Sequence, residues 1–288
     1  MNTLIQQLSN RDLALITWIV LILIVVFFLK PFREFIKSAF SIFTQKTFLI
    51  VIFLLFSYLI IILWGISSIN LWNFKLIKDT LFWLIGVGLV IPIKSITKNI
   101  EYFKEIALSC IKYTLLIEFI TNLHVFSYVA ELVLFPTLFF IILIQVNNEY
   151  KVKNPKIEKL SNLILGIYGV TILLYAIYKT IQNYKLDFTV ENLQSLLLPS
   201  ILTILILPFS YFLTVYSAYE NMFIKLYNVK NVKYSNSTIK WKLFKRTTFN
   251  LRKIREINLR LNPYYLNLTE NIDQYLNDIE KPVTNKVS

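Results

Sequence analysis

Residues 47–69 read TFLIVIFLLFSYLIIILWGISSI, without one charged side chain. At 1.5 Å per residue a helix of this length covers about 35 Å, against about 30 Å for a hydrocarbon core. Soluble domains rarely carry such a run, whereas a membrane-crossing helix requires it, because in lipid the backbone must satisfy its own hydrogen bonds. Further apolar runs occupy 13–29, 81–96, 162–181 and 195–218, and a long mixed stretch fills 100–146. No apolar run follows residue 218. The composition agrees: mean hydropathy is +0.58, and only 16% of residues are charged. The expected class is an all-α integral membrane protein, with a transmembrane domain over 1–218 and a short helical cytosolic tail over 219–288. The polar stretch before residue 13 lacks a basic lead, and no small-residue cleavage site follows the first run. That run is therefore expected to be retained as a helix.

Charge sets the expected orientation, since Lys and Arg concentrate in loops on the cytoplasmic side. Four segments hold 25 of the 30 basic residues: 30–46, 94–112, 151–159 and 225–286. Placing all four inside puts the N-terminus outside and the C-terminus in the cytoplasm. Both flanks of 100–146 are then cytoplasmic, so the stretch crosses an even number of times. An outgoing helix over 100–123 and a returning one over 125–146, with Asn122, Leu123 and His124 as the outer turn, give seven transmembrane helices. A re-entrant hairpin over 113–135 gives the same sidedness. Trp64, Trp72, Trp83, Tyr178 and Tyr184 fall near the outer boundary, where amphipathic rings favour headgroups.

Two features inside the apolar domain carry chemistry. Glu118 and Glu131 sit at similar expected depth on the helices that meet at the outer turn, with Asn122 nearby. A carboxylate in hydrocarbon costs a few kcal/mol, so it faces a cavity or a partner. One reading makes Glu118, Glu131 and Asn122 part of an ion pathway. The other has each acid bonding locally or reaching the interface. The second feature is a charged stripe: Lys94, Lys98, Glu101, Glu105, Ser109 and Lys112 share one helical face, opposite Ile96, Ile100, Phe103, Ile106 and Ile111. Both an interfacial helix and the wall of an aqueous vestibule produce this pattern.

The tail pattern predicts a helix from 237 to 261, stopped by Asn262 and Pro263. Lys242, Lys245, Arg246, Arg252, Lys253 and Arg260 share one face; Leu243, Phe244, Leu251, Ile254, Ile257 and Leu261 share the other. Three occupants suit the basic face: anionic lipid, a nucleotide or single-stranded oligonucleotide, and the acidic segment 269–280. That segment carries Glu270, Asp273, Asp278 and Glu280 beside the apolar stripe Leu268, Ile272, Tyr275 and Ile279.

One His, one Cys and five Gly leave no material for multi-His metal centres, a disulfide or Gly-rich phosphate loops. The expectation is a non-catalytic protein without cofactor or metal.

The segment NFKLIKDTLFW at 73–83, with the plan of several helices and a basic cytosolic tail, resembles transmembrane effectors of bacterial antiphage-defence systems of the Hailong channel type. The resemblance implies a homo-oligomeric channel in the inner membrane, controlled by a nucleotide-type signal on its cytosolic side, whose opening depolarises the cell. On this reading Phe82 and Trp83 form an aromatic gate, although Trp83 also suits membrane anchoring. Two other classes fit. A secondary transporter would use the Pro-bearing helices at Pro92, Pro136 and Pro208, and a weak similarity of helices two and three to helices six and seven. A scaffold would recruit partners through the tail.

Overall fold

The computed structural model describes residues 8–110, 124–151, 154–187, 189–227, 229–231 and 233–280. All regular structure among them is helical. In chain order the elements are α1 (Asn10–Phe27), α2 (Lys30–Phe43), α3 (Lys46–Ser68), a 3₁₀ turn (Phe74–Leu76), α4 (Ile77–Trp83), a π turn (Leu84–Gly88), α5 (Val90–Ser95) and α6 (Ile100–Ser109). Then come α7 (Tyr128–Lys151), α8 (Pro155–Asp187), α9 (Val190–Lys225), α10 (Asn236–Thr247), α11 (Leu251–Arg260), α12 (Pro263–Leu268) and α13 (Ile272–Glu280).

Six helices among the described residues are long and apolar enough to cross a membrane: Asn10–Phe27, Lys46–Ser68, Phe74–Ser95, Tyr128–Asn148, Pro155–Asn183 and Val190–Lys225. This is compatible with a multi-pass membrane protein. The expected outgoing helix over 100–123 differs from the structure: the helix that begins at Ile100 closes at Ser109. Residues 111–123 lie outside the described residues, and with them Glu118, Asn122 and most of the expected outer turn.

The chain divides into two compact units, 1–82 with 111–200, and 83–110 with 201–288. The tail thus shares a unit with parts of the apolar helices, and the boundary at 218/219 is one of composition.

In the first unit α1 packs along α7. Ala14 is fully buried and lets the helices approach. The Trp18 indole N–H donates to the Leu132 carbonyl at 2.8 Å, and the Thr17 and Tyr128 hydroxyls meet at 3.0 Å. Ser9 starts α1 with a reciprocal cap: its hydroxyl accepts from the Asp12 N–H, and Asp12 accepts from the Ser9 N–H. At the far end of α7, Asn148 and Asn154 exchange two hydrogen bonds that close the turn into α8.

The second unit has the larger buried core. Leu243, Leu251, Ile254, Ile257, Leu266, Ile272 and Leu276 of the tail are at most 1% exposed and pack with Met222 of α9 and Leu226 just beyond it. The predicted apolar face is therefore the core of this unit. Phe103 of α6 joins it, its ring 5.4 Å from that of Tyr211. The charged stripe at Lys94, Lys98, Glu101, Glu105 and Ser109 is the exposed outer face of this packed segment.

The tail helix is not continuous, as the periodicity predicts, but breaks into α10 and α11 at Thr248, whose φ is 48°. A β-branched residue there is strained by about 1–3 kcal/mol. Neighbouring groups hold it: the Tyr219 hydroxyl donates to the Thr248 carbonyl, and the Tyr211 hydroxyl to the Phe249 carbonyl at 2.6 Å. Asn250 then caps α11 by accepting from the Lys253 N–H. No Gly or Pro marks the break; its one local signal is Asn250, a favoured N-cap residue. The predicted stop is present: Leu261 ends α11, and Pro263 opens α12 with Asn262 as its cap.

Candidate functional site

The residues around Trp83 and Ser95 tie the third apolar helix to α9 through indole and hydroxyl hydrogen bonds. The third apolar helix does not run through as regular α-helix. A π turn at Leu84–Gly88 inserts an extra residue, and the Leu89 N–H reaches back to the Leu84 carbonyl at 2.9 Å. Such turns cluster at functional positions in helices. Pro92, lacking an N–H, leaves the Gly88 carbonyl without its usual helical donor. Gly88 itself is required by packing: a Cβ there would lie 2.9 Å from Trp83 Cζ3 and 3.2 Å from Leu84 Cδ1. The Trp83 ring thus folds over Gly88, and its N–H donates to Thr203 Oγ1 of α9 at 2.9 Å. At 4% exposed, Trp83 is an interior residue, which corrects its placement as a membrane anchor. Phe82, its expected partner in an aromatic gate, is 37% exposed.

About three turns beyond Trp83, Ser95 continues the seam. Its hydroxyl donates to the Pro92 carbonyl at 2.7 Å and approaches the Ser210 carbonyl at 3.2 Å, while accepting from Thr214 Oγ1 at 2.9 Å. Ser95, Ser210 and Thr214 are all fully buried. Thr203, Ser210 and Thr214, spaced by seven and four residues, present one face of α9. Every hydroxyl along it has a partner, so the seam fixes the register of two apolar helices.

The tail attaches directly below this seam. Arg255 of α11 donates to the Ile96 carbonyl at 3.0 Å and to Asn99 Oδ1 at 2.6 Å. Ile96 is the residue after α5, where carbonyls lack helical donors. Burial pushes the Arg255 guanidinium down from its ordinary value, although an arginine stays charged at any physiological pH. The pattern of basic faces did not single out Arg255. Its signal was its position beside Ile254 and Ile257 on the edge of the apolar face.

Four of the six predicted basic-face residues of the tail, Lys242, Arg246, Lys253 and Arg260, meet the acidic helix α13. Lys242 and Arg246 both reach Asp273, Arg246 also lies 3.5 Å from Glu280, and Lys253 lies 3.6 Å from Glu280. Arg260 donates to the Ile279 carbonyl at 2.9 Å. Arg252 pairs within its own helix with Glu256. Lys245 turns aside and sits 5.5 Å from the centre of the Trp241 ring. Of the three expected occupants, the structure thus contains the acidic segment. The Lys242 ammonium, donating to the carboxylate, holds the Asp273 carboxyl below its usual range, helped by Arg246. A cleft of about 250 Å³ remains between α11 and α13, where Arg252, Lys253 and Arg260 face Glu256 and Glu280.

In the first unit, Glu131 is 1% exposed and 3.4 Å from the Arg11 guanidinium. The Phe126 N–H donates to the same carboxylate oxygen at 3.1 Å. Lys78 lies 3.3 Å from Asp12 and 3.7 Å from Asp79, the first link tying the third apolar helix to α1. Glu131 is therefore an ion-paired, hydrogen-bonded carboxylate. Its predicted companions Glu118 and Asn122 lie outside the described residues. The partner Arg11 lies 120 positions away, which local pattern does not reveal.

Compared with known proteins, the chain matches no family model, no curated protein and no solved structure.

Proposed function

We propose that the chain is a multi-pass protein of a bacterial cytoplasmic membrane that acts as an oligomeric, ion channel-type effector, its conducting state set by the cytosolic tail. The observation that carries this reading is the grip of Arg255 on Ile96 and Asn99. It joins the tail core to the end of a helix that is discontinuous at its centre. A π turn that anneals to α-helix rotates everything beyond it by about 100°. Such a rotation carries Ser95 away from Ser210 and Thr214, and movement of the tail is what drives it.

The orientation follows the four basic segments, with the N-terminus outside. Contacts in the first unit support the outer face. Arg11 and Asp12, Lys78, and Glu131 meet there, and Lys75 with Glu191 and Asn70 with Gln194 join the next loop to it. With Tyr128 outside and Ser95 inside, the chain makes one more crossing between them, seven in all.

The regulating ligand is an anion of the nucleotide or oligonucleotide class. It competes with Asp273 and Glu280 for Lys242, Arg246 and Lys253, loosening α13 and through it α11. Depolarisation as antiphage defence follows the resemblance at 73–83. A secondary transporter is the second reading, favoured by the interrupted third helix with its Pro92. Purified full-length protein in potassium-loaded vesicles tests the assignment. Dissipation of an imposed potential that does not saturate with ion concentration supports the channel. Saturable flux of one solute supports the transporter, and tight vesicles with correctly inserted protein overturn both in favour of a scaffold.

A further inference from the structure

The segment joining the first two long apolar helices reads KPFREFIKSAFSIF and forms the helix α2, Lys30–Phe43. Placed at 100° per residue, positions 32, 35, 36, 39, 40, 42 and 43 fall within an arc of about 160° and are all apolar. Lys30, Arg33, Glu34, Lys37, Ser38 and Ser41 fill the opposite arc. The separation is complete apart from Pro31, which sits in the first turn, where its missing N–H costs nothing.

Length and connections restrict where such a helix can lie. Fourteen residues of helix cover about 21 Å, too short for a hydrocarbon core of about 30 Å. The links to its neighbours are two residues each, Phe28 and Leu29 on one side, Thr44 and Gln45 on the other. Two residues reach at most about 7 Å. If α1 and α3 cross the membrane, α2 is therefore held at the membrane surface. On its apolar side Ile36 is 43% exposed and Phe40 is 67% exposed. Lys30, Arg33 and Lys37 are exposed as well, and Lys46 follows at the start of α3.

We infer that α2 is an in-plane interfacial helix, its Ile36–Phe40 side sunk among acyl chains and its Lys30, Arg33 and Lys37 bound to the phosphates of anionic lipid. Charge complementarity selects the lipid class: three cations and a following lysine face a surface with one acid, Glu34. The inference moves the lipid contact from the tail, where α13 covers the basic face, to the segment between the first two spans. It rests on the multi-pass reading above.

The test uses full-length protein with Cys110→Ser, which removes the one native thiol. Single cysteines at Phe40→Cys, Ser41→Cys and Phe53→Cys are labelled with bimane. The protein is reconstituted in phosphatidylcholine with or without phosphatidylglycerol. The expected result is quenching at 40 by a shallow lipid nitroxide with protection from aqueous iodide, and the reverse at 41. Position 53, at the exposed middle of α3, is quenched by a deep nitroxide and so reports insertion independently. Neutralising Lys30, Arg33 and Lys37 to Gln should lower phosphatidylglycerol enrichment around the label at 40 by roughly fivefold for each charge, the equivalent of about 1 kcal/mol per cation. Iodide access at 40 with deep quenching at 53 overturns the interfacial helix and leaves the multi-pass reading standing. Loss of quenching at 53 overturns that reading too. Protection at 40 without lipid quenching, accompanied by a disulfide between Phe40→Cys copies, assigns the face to a second subunit and overturns the lipid proposal.

Discussion

Arg255, on the third helix from the C-terminal end of the described chain, donates to the carbonyl of Ile96, one residue past α5. The bond spans 159 positions of sequence and makes the tail a structural neighbour of the third apolar helix.

Arg255→Ala removes this bond and the one to Asn99. Hydrogen bonds from a charged donor contribute about 1.5–3 kcal/mol each when buried, and less at this half-buried site. Tail docking should weaken by roughly tenfold, read as faster tryptic cleavage at Lys230 or Lys233 of intact protein. Arg255→Lys, which cannot span both acceptors, should fall between wild type and Ala. An unchanged cleavage rate in both variants contradicts the coupling.

Gly88 and Gly86 lie two residues apart in the π turn and make opposite predictions. A Cβ at 88 meets the Trp83 ring at 2.9 Å, whereas one at 86 meets nothing within 4 Å. Gly88→Ala should destabilise by about 1–3 kcal/mol, as overpacking does, and displace the Trp83 N–H from Thr203. Gly86→Ala should be close to neutral. Thermal midpoints in detergent, with near-ultraviolet dichroism of the Trp band, separate the two.

Removing Arg11 strands a carboxylate that is 1% exposed. Arg11→Gln should cost about 3–5 kcal/mol, the usual penalty for breaking one side of a buried pair. Glu131→Gln in the same chain should recover most of the loss, since a neutral amide no longer requires the cation. A double variant as unstable as the single one would mean that Arg11 acts through other contacts.

Acid should loosen α13. The Asp273 carboxyl is held below its usual range in the folded tail, so its contribution is present above the unfolded value of about 3.9. It fades as pH falls from there through the folded value. Asp273 is half exposed, so solvent screening limits the contribution to less than about 1 kcal/mol. Hydrogen exchange over 272–280, corrected for intrinsic rate, should rise below about pH 4, and Asp273→Asn should show the same loosening at neutral pH.

The apolar helices were legible because length and absence of charge are properties of a single window. The tail core was legible for a similar reason: Leu243, Leu251, Ile254 and Ile257 repeat at helical spacing. Three features were not. The basic residues of α2 read as a cytoplasmic loop, although the same residues complete an amphipathic helix. The break at Thr248 is held by Tyr211 and Tyr219 of another helix, and Asn250 is its one local mark. The Arg11–Glu131 and Arg255–Ile96 contacts join residues more than a hundred positions apart, and side-chain type alone does not choose between partners at that distance. The occupant of the basic tail face was one of three candidates by charge, and only packing of Ile272 and Leu276 selects α13.

Single-channel recording in a planar bilayer tests the central claim most directly, using full-length protein with short single-stranded DNA added on the tail side. Discrete currents whose open probability changes with the oligonucleotide are expected, with loss of that response in Arg255→Ala and unit conductance retained. Silence from protein shown to be folded and inserted would contradict the channel assignment. Currents in Arg255→Ala that respond to DNA as wild type does would contradict control through the tail.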